Sequence, residues 1–144
     1  MHNYFSILNV MTPFPHAVDV DASIHEAREF MMQKSIRHLP VTERGGLVGL
    51  LSDHDTKIML GPDFGYPKES ELVVRDVYVE EPYVVDISAP LLGVLDTMVG
   101  RHIGSAIITK HKKLAGILTS RDVCKALALY LQSKQPPGEG DDVA

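Results

Sequence analysis

The sequence predicts an α/β protein made of two β-α-β-β-α repeats packed with pseudo-twofold symmetry. Three observations lead there. Val10–Leu60 lies over Val77–Leu127 without a gap, at a fixed offset of about 67 positions. Within that overlap Val18-Asp19-Val20 falls on Val85-Asp86-Ile87, Met31 on Met98, Ile36 on Ile103 and Thr42 on Thr109. The segment Gly49-Leu50-Leu51-Ser52-Asp53-His54-Asp55 falls on Gly116-Ile117-Leu118-Thr119-Ser120-Arg121-Asp122. A unit of roughly 60 residues buries too little surface alone, so the copies are expected to pack face to face. Any site formed by one copy then has a counterpart in the other.

The elements follow in order. Tyr4 to Val10 reads as a short leading helix or arm, ended by Pro13 and Pro15. Ala17 to Val20 is a short strand. Ser23-Ile24-His25-Glu26 has the form of a capping box, and Ile24, Ala27, Phe30 and Met31 mark the buried stripe of the helix it opens. Ile36 to Thr42 is a strand in which Pro40 suggests an edge position or an irregular start. Gly45-Gly46 is a hairpin turn, Leu47 to Leu51 the return strand, and a second helix runs from Ser52 to Gly61-Pro62. The second copy repeats this. It has a strand from Tyr83 to Ile87, a helix over Leu91, Val94, Leu95 and Met98, and a strand from Ile103 to Thr109. A Lys110-to-Lys113 turn, a strand from Leu114 to Leu118 and a helix over Val123, Leu127 and Leu131 complete it. The organisation is repeat 1 at residues 7–60, a linker at 61–73, repeat 2 at 74–131 and a disordered tail at 132–144.

Composition narrows the class. The 144 residues are 44% hydrophobic and 23% charged, ordinary values for a globular protein. A net charge of −5 argues against a nucleic-acid groove while leaving room for a local basic pocket. The lone Cys124 excludes an internal disulfide and a cysteine-based zinc site within one chain. No apolar run reaches the roughly 18 residues of a membrane span, and Met1-His2-Asn3-Tyr4 lacks the opening of a secretory signal. The expectation is a cytoplasmic protein with neither membrane nor nucleic acid as partner.

The chemistry concentrates in the doubled Gly-apolar-apolar-Ser/Thr-x-x-Asp passage from strand to helix. Its glycine lets a ligand ring or another backbone come close. The Ser52 or Thr119 hydroxyl sits where a helix begins. Asp55 or Asp122, one turn in, offers two acceptor oxygens to a vicinal diol such as a ribose, through bonds of about 1.5–3 kcal/mol each. The same carboxylate cannot also hold phosphate, because two like charges about 4 Å apart cost roughly 4 kcal/mol at a surface-like dielectric. Phosphate then goes to the helix start or to nearby cations: His54, Arg37 and His38 in the first copy, Arg121 in the second. Gly104 and Ser105 replace the Arg-His pair in the second copy, so the two sites are expected to differ in affinity. The alternative is a plain helix cap with Asp in place of Glu, which needs no ligand.

Leu8-Asn9-Val10-Met11-Thr12-Pro13, Ile36-Arg37-His38-Leu39-Pro40-Val41 and the two Gly-x-x-Ser/Thr-x-x-Asp segments together resemble a tandem pair of cystathionine-β-synthase (CBS) domains, a Bateman module. The resemblance covers about residues 7 to 131. It implies a non-catalytic regulatory sensor with two clefts, one or both taking AMP, ADP, ATP or S-adenosylmethionine as regulatory ligand, with no required cofactor. By position it puts Ser52 and Asp55 in one cleft and Thr119 and Asp122 in the other, with the carboxylates on ribose. His54, Arg121, Arg37 and His38 fall on the phosphate side, Val18 and Val85 beside the bases, and Thr12 near an entrance. It further implies a homodimer that signals to an effector protein by a ligand-dependent conformational shift. Two departures stand out. Val77-Tyr78-Val79-Glu80-Glu81-Pro82 replaces the Met-Thr-Pro opening, with an acidic pair opposed to phosphate, and the Arg-His pair is missing from the second copy.

Other constellations carry less. No histidines stand at His-x-x-x-His spacing, and Asp53-His54-Asp55 at a helix start points in different directions, against a metal site. Ser52, His54 and Asp55 are too close along one helix to form a nucleophile relay. Cys124 reads as packing in an apolar helix face, and Met31, Met32 and Met98 as core or interface filler. The rival to a ligand sensor is an interaction module with empty clefts whose purpose is dimerisation.

Overall fold

The computed structural model describes residues 5–13, 15–60 and 72–135. Each repeat has the expected order. The first contains β2 (Val18–Asp19), α2 (Ile24–Lys34), β3 (His38–Glu43), β4 (Gly46–Ser52) and α3 (Asp53–Leu60). The second contains β5 (Val84–Asp86), α4 (Leu91–Arg101), β6 (Ser105–Lys110), β7 (Lys113–Thr119) and α5 (Ser120–Ser133). A short α1 (Ile7–Val10) and β1 (Thr12–Pro13) lead in, and a 3-10 turn at Val74–Asp76 precedes the second repeat. The distal tail and most of the linker lie outside the described residues.

The lead-in segments change places. β1 pairs antiparallel with β7, Thr12 against Ile117 and Pro13 against Gly116, giving a sheet ordered β1-β7-β6-β5. Ile7, Val10 and Met11 are buried in the second core with Val94, Met98, Ala106, Ile108 and Leu118. Burial of side chains this size contributes roughly 1.5–3 kcal/mol each, which anchors the arm. Reciprocally, Val74 is buried in the first core with Val20, Ile24, Leu39, Val41 and Leu51, and Val77 and Tyr78 pack against it. Leu50 and Val79 exchange backbone bonds of 3.0 and 2.8 Å on the free edge of β4. Arg75 adds bonds to Asp21 at 3.2 Å and Glu43 at 2.8 Å, tying the 3-10 turn to the first repeat.

The motif glycines make this exchange possible. A Cβ on Gly49 would stand 2.3 Å from the Val79 carbonyl oxygen and 2.4 Å from the Tyr78 ring. One on Gly116 would meet Met11 Sδ at 2.5 Å and the Thr12 carbonyl oxygen at 2.8 Å. Of the two uses the sequence left open for these glycines, both serve the approach of another backbone.

Several local expectations need correction. Pro40 lies in the middle strand of β2-β3-β4, buried, and not at an edge. Its partner Leu50 turns its N–H and C=O outward to Val79, so Pro40 faces away from β4, and β2 pairing begins only at Val41. The missing donor therefore costs no ladder bond there. The first hairpin turns at Arg44-Gly45, with φ of 53° and 81°, and Gly46 already begins β4. His111 and Lys112, at 52° and 65°, repeat that turn, the two positive φ values matching the twist of paired strands. Ser23 accepts from Glu26 N at 3.0 Å, the hydroxyl half of the expected capping box. Cys124 is exposed, and α5 has no fully buried residue. Val123 packs against the second core, while Leu127 and Leu131 are 53% and 54% exposed, so the distal part of the predicted apolar stripe of α5 is uncovered among the described residues.

Candidate functional site

Both motif passages place their hydroxyl at a helix start, and there the likeness ends. In the first repeat Ser52 Oγ accepts from Asp55 N at 3.0 Å. The Asp55 carboxylate, half-buried, receives no hydrogen bond among the described residues. In the second repeat Thr119 Oγ1 accepts from Asp122 N at 3.3 Å, and Thr119 N donates to Asp122 Oδ2 at 2.9 Å. This is a complete capping box. Thr12 Oγ1 donates to the other carboxylate oxygen at 2.8 Å. The lead-in exchange brings Thr12 there from 110 residues away.

His38 opens β3 opposite Ser52 and is half-buried. Burial holds its pKa below the ordinary 6.5, with Asp55 pulling upward, Arg37 downward and Asp53 upward. It is thus a neutral hydrogen-bonding group near neutral pH rather than a fixed cation. A folded-state pKa below the unfolded one means that the unfolded chain binds the extra proton first. His38 therefore costs no stability above pH 6.5, and stability is lost as pH falls from 6.5 through the folded value. Denaturation midpoints at pH 7.5 and 5.5 are expected to fall further for wild type than for His38→Gln. Equal falls would remove His38 as the source.

Arg37 and Arg121 come together although they belong to different repeats. They line one cleft of about 430 Å³ with Asp53 and Lys57, its wall formed by Arg28, Met31, Met32, Ser35 and Ile36. Its volume lies within the roughly 300–1,000 Å³ of small-molecule sites. Lys57 Nζ is bound to Asp53 Oδ2 at 2.9 Å. Among the described residues neither Arg37 nor Arg121 forms an ion pair. Asp53 N donates to the Arg37 carbonyl at 2.9 Å, fixing the α3 start against the strand that carries His38.

The remaining expected residues are dispersed. His54 is exposed on α3. Val18 lines a separate slot of about 180 Å³ with Ala17, Ala22, Ala27, Glu26 and Phe30, below the usual range of small-molecule sites. Val85 packs against the second core, its carbonyl accepting from Thr109 Oγ1 at 3.4 Å. Arg28 and Lys57 of the cleft escaped the sequence reading. Lys57 carried a signal, standing four residues after Asp53 on one helix face.

The CBS domain profile matches residues 7–56 and 74–129. The chain belongs to the CBS domain family. The two matches make it a tandem CBS pair, or Bateman module. It is 30% identical over 121 residues to a zinc metalloprotease, MJ0392, of Methanocaldococcus jannaschii, covering 84% of this chain and 32% of that protein. This CBS pair thus spans about a third of that relative. The crystal structure of CBSX2 in complex with AMP is similar with a TM-score of 0.73 and 28% identity, covering 91% of this chain and 99% of that one. The CBS pair of MJ0100 in complex with 5′-methylthioadenosine and S-adenosylmethionine gives a TM-score of 0.74 at 19% identity, covering 85% and 99%. Among the described residues no helix is long and apolar enough to cross a membrane.

Proposed function

We propose that this CBS pair is a non-catalytic regulatory module that binds an adenosyl ligand of the AMP, ADP, ATP or S-adenosylmethionine class. One observation carries the reading. Among the described residues the Asp55 carboxylate has no donor, and it belongs with Arg37 of the cationic cleft to the charge environment of half-buried His38. Asp55 supplies two acceptors for a ribose diol, and Arg37 and Arg121 take phosphate at a distance from that carboxylate. The adenosyl ligands of CBSX2 and MJ0100, carried over by family likeness, share the ribose diol this site fits. Because Arg37 and Arg121 come from different repeats, phosphate between them favours one relative orientation of the repeats. The resulting shift is limited to the ligand's differential affinity for the two states. An effector protein reads it.

Calorimetric titration of the full chain with AMP, ADP, ATP and S-adenosylmethionine tests the reading, and saturable binding of at least one is expected. Absence of binding by all four favours the rival, an interaction module without ligand. Arg121→Ala is expected to weaken AMP about tenfold, as loss of a charge-assisted bond does, and to leave adenosine unchanged. Equal weakening of both would take phosphate away from Arg121. The uncovered apolar residues Met32, Leu92, Val99 and Ile58, 66–76% exposed, together with the α5 leucines, support a homodimer. Sedimentation giving a monomer at micromolar concentration would contradict that part.

A further inference from the structure

We propose that Thr12 decides which of the two clefts takes the ligand, by occupying the Asp122 carboxylate from within. This rests on the reading that the motif carboxylates hold a sugar diol. A carboxylate has about four lone-pair sites, and Asp122 already spends three. Thr12 Oγ1 is on Oδ1 at 2.8 Å, while Thr119 N and Thr119 Oγ1 lie at 2.9 and 3.1 Å from Oδ2. Two diol hydroxyls cannot be added without displacing a donor. On Oδ1, the oxygen outside the capping box, Thr12 leaves one lone-pair site, too few for the two hydroxyls of a diol.

The repeat symmetry supplies the comparison. Thr12 lies opposite Ile117 and Val79 opposite Leu50, equivalent places in the two copies. Val79 has no hydroxyl, and the Asp55 carboxylate of that repeat accepts no bond among the described residues. Two things therefore separate the sites: the capping box that holds Oδ2 of Asp122, and the Thr12 hydroxyl on Oδ1, which is the one supplied by the exchanged lead-in. The latch sits on a segment held by buried Ile7, Val10 and Met11 and by the β1–β7 pairing, so it does not swing away freely. The first repeat fills first, and the second fills only when Thr12 turns aside.

Calorimetric stoichiometry with AMP on the full chain tests this. Thr12→Val keeps the side-chain volume and the backbone pairing of β1 and removes the donor, and Thr12→Ser restores one. Wild type and Thr12→Ser are expected to bind one AMP per chain. Thr12→Val is expected to bind a second, weakened about tenfold or more by adding Asp122→Asn. The same number of sites in wild type and Thr12→Val, whether one or two, overturns the latch and leaves the diol reading standing. No AMP binding by either protein removes both.

Discussion

Asp55→Ala is expected to weaken AMP binding about tenfold or more while changing the unfolding free energy by no more than about 1 kcal/mol. The asymmetry comes from the bonding of the two carboxylates. Asp55 accepts nothing among the described residues, so its removal deletes only a favourable charge near a helix start. Asp122→Ala is the mirror experiment. It removes the acceptor of Thr12 and Thr119, and is expected to cost about 1–2 kcal/mol of stability with AMP affinity unchanged. Urea unfolding and calorimetry on both variants read the two effects separately. A stability loss for Asp55→Ala equal to that of Asp122→Ala, with affinity intact, would make Asp55 a helix cap and nothing more.

Gly49→Ala is expected to be the most damaging glycine-to-alanine change among the described residues, costing about 3 kcal/mol or more on the scale of about 1–3 kcal/mol for ordinary overpacking. The new methyl would meet a backbone carbonyl at 2.3 Å and a ring at 2.4 Å, neither the far end of a flexible chain. The Val79 segment must lift off β4, losing both Leu50 bonds and the Tyr78 packing. Gly116→Ala meets the movable Met11 sulfur first, at 2.5 Å, and a carbonyl at 2.8 Å, so a smaller loss is expected. Gly93→Ala and Gly100→Ala, in α4 with nothing within 4 Å, are expected to gain up to about 1 kcal/mol from helix propensity. The ordering Gly49, Gly116, then the α4 pair is read from denaturation midpoints. Equal tolerance at Gly49 and Gly93 would contradict the exchanged packing.

The repeat and its element order were legible because they rest on local patterns: apolar periodicity, turn residues and a gapless self-overlap. The exchange of lead-in segments was not. Val10-Met11-Thr12 and Val77-Tyr78-Val79 look like simple preludes to their own repeats, and only tertiary packing reveals that each completes the other core. The glycines gave the one hint, since both were read as permitting close approach without saying of what. Pro40 misled because a proline's missing N–H matters only on the bonded side of a strand, and sequence does not show which side that is. The α5 stripe was read correctly as apolar, but periodicity does not say whether a second chain or the core covers it.

At the site, the residue types were legible and their states were not. Asp55 and Asp122 are equivalent in sequence, yet among the described residues the first carboxylate accepts no bond, and the second is held by its own capping box and by a hydroxyl 110 residues away. Arg37 and Arg121 were assigned to separate clefts and share one. His38 was grouped with the cations, and burial keeps it neutral. The Thr12 bond, the shared cleft and the burial of His38 come from tertiary packing that no local window contains, while the Thr119–Asp122 capping box is a local difference between two similar motifs.

A sugar diol resting on Asp55 is the central contact of the proposed site. Titration of the full chain with AMP and with 2′-deoxy-AMP tests it directly, because the two ligands differ only in one of the two hydroxyls from which the carboxylate accepts. The predicted result is an affinity about tenfold or more lower for 2′-deoxy-AMP in wild type, with the difference abolished in Asp55→Ala. Equal affinities in wild type would contradict it.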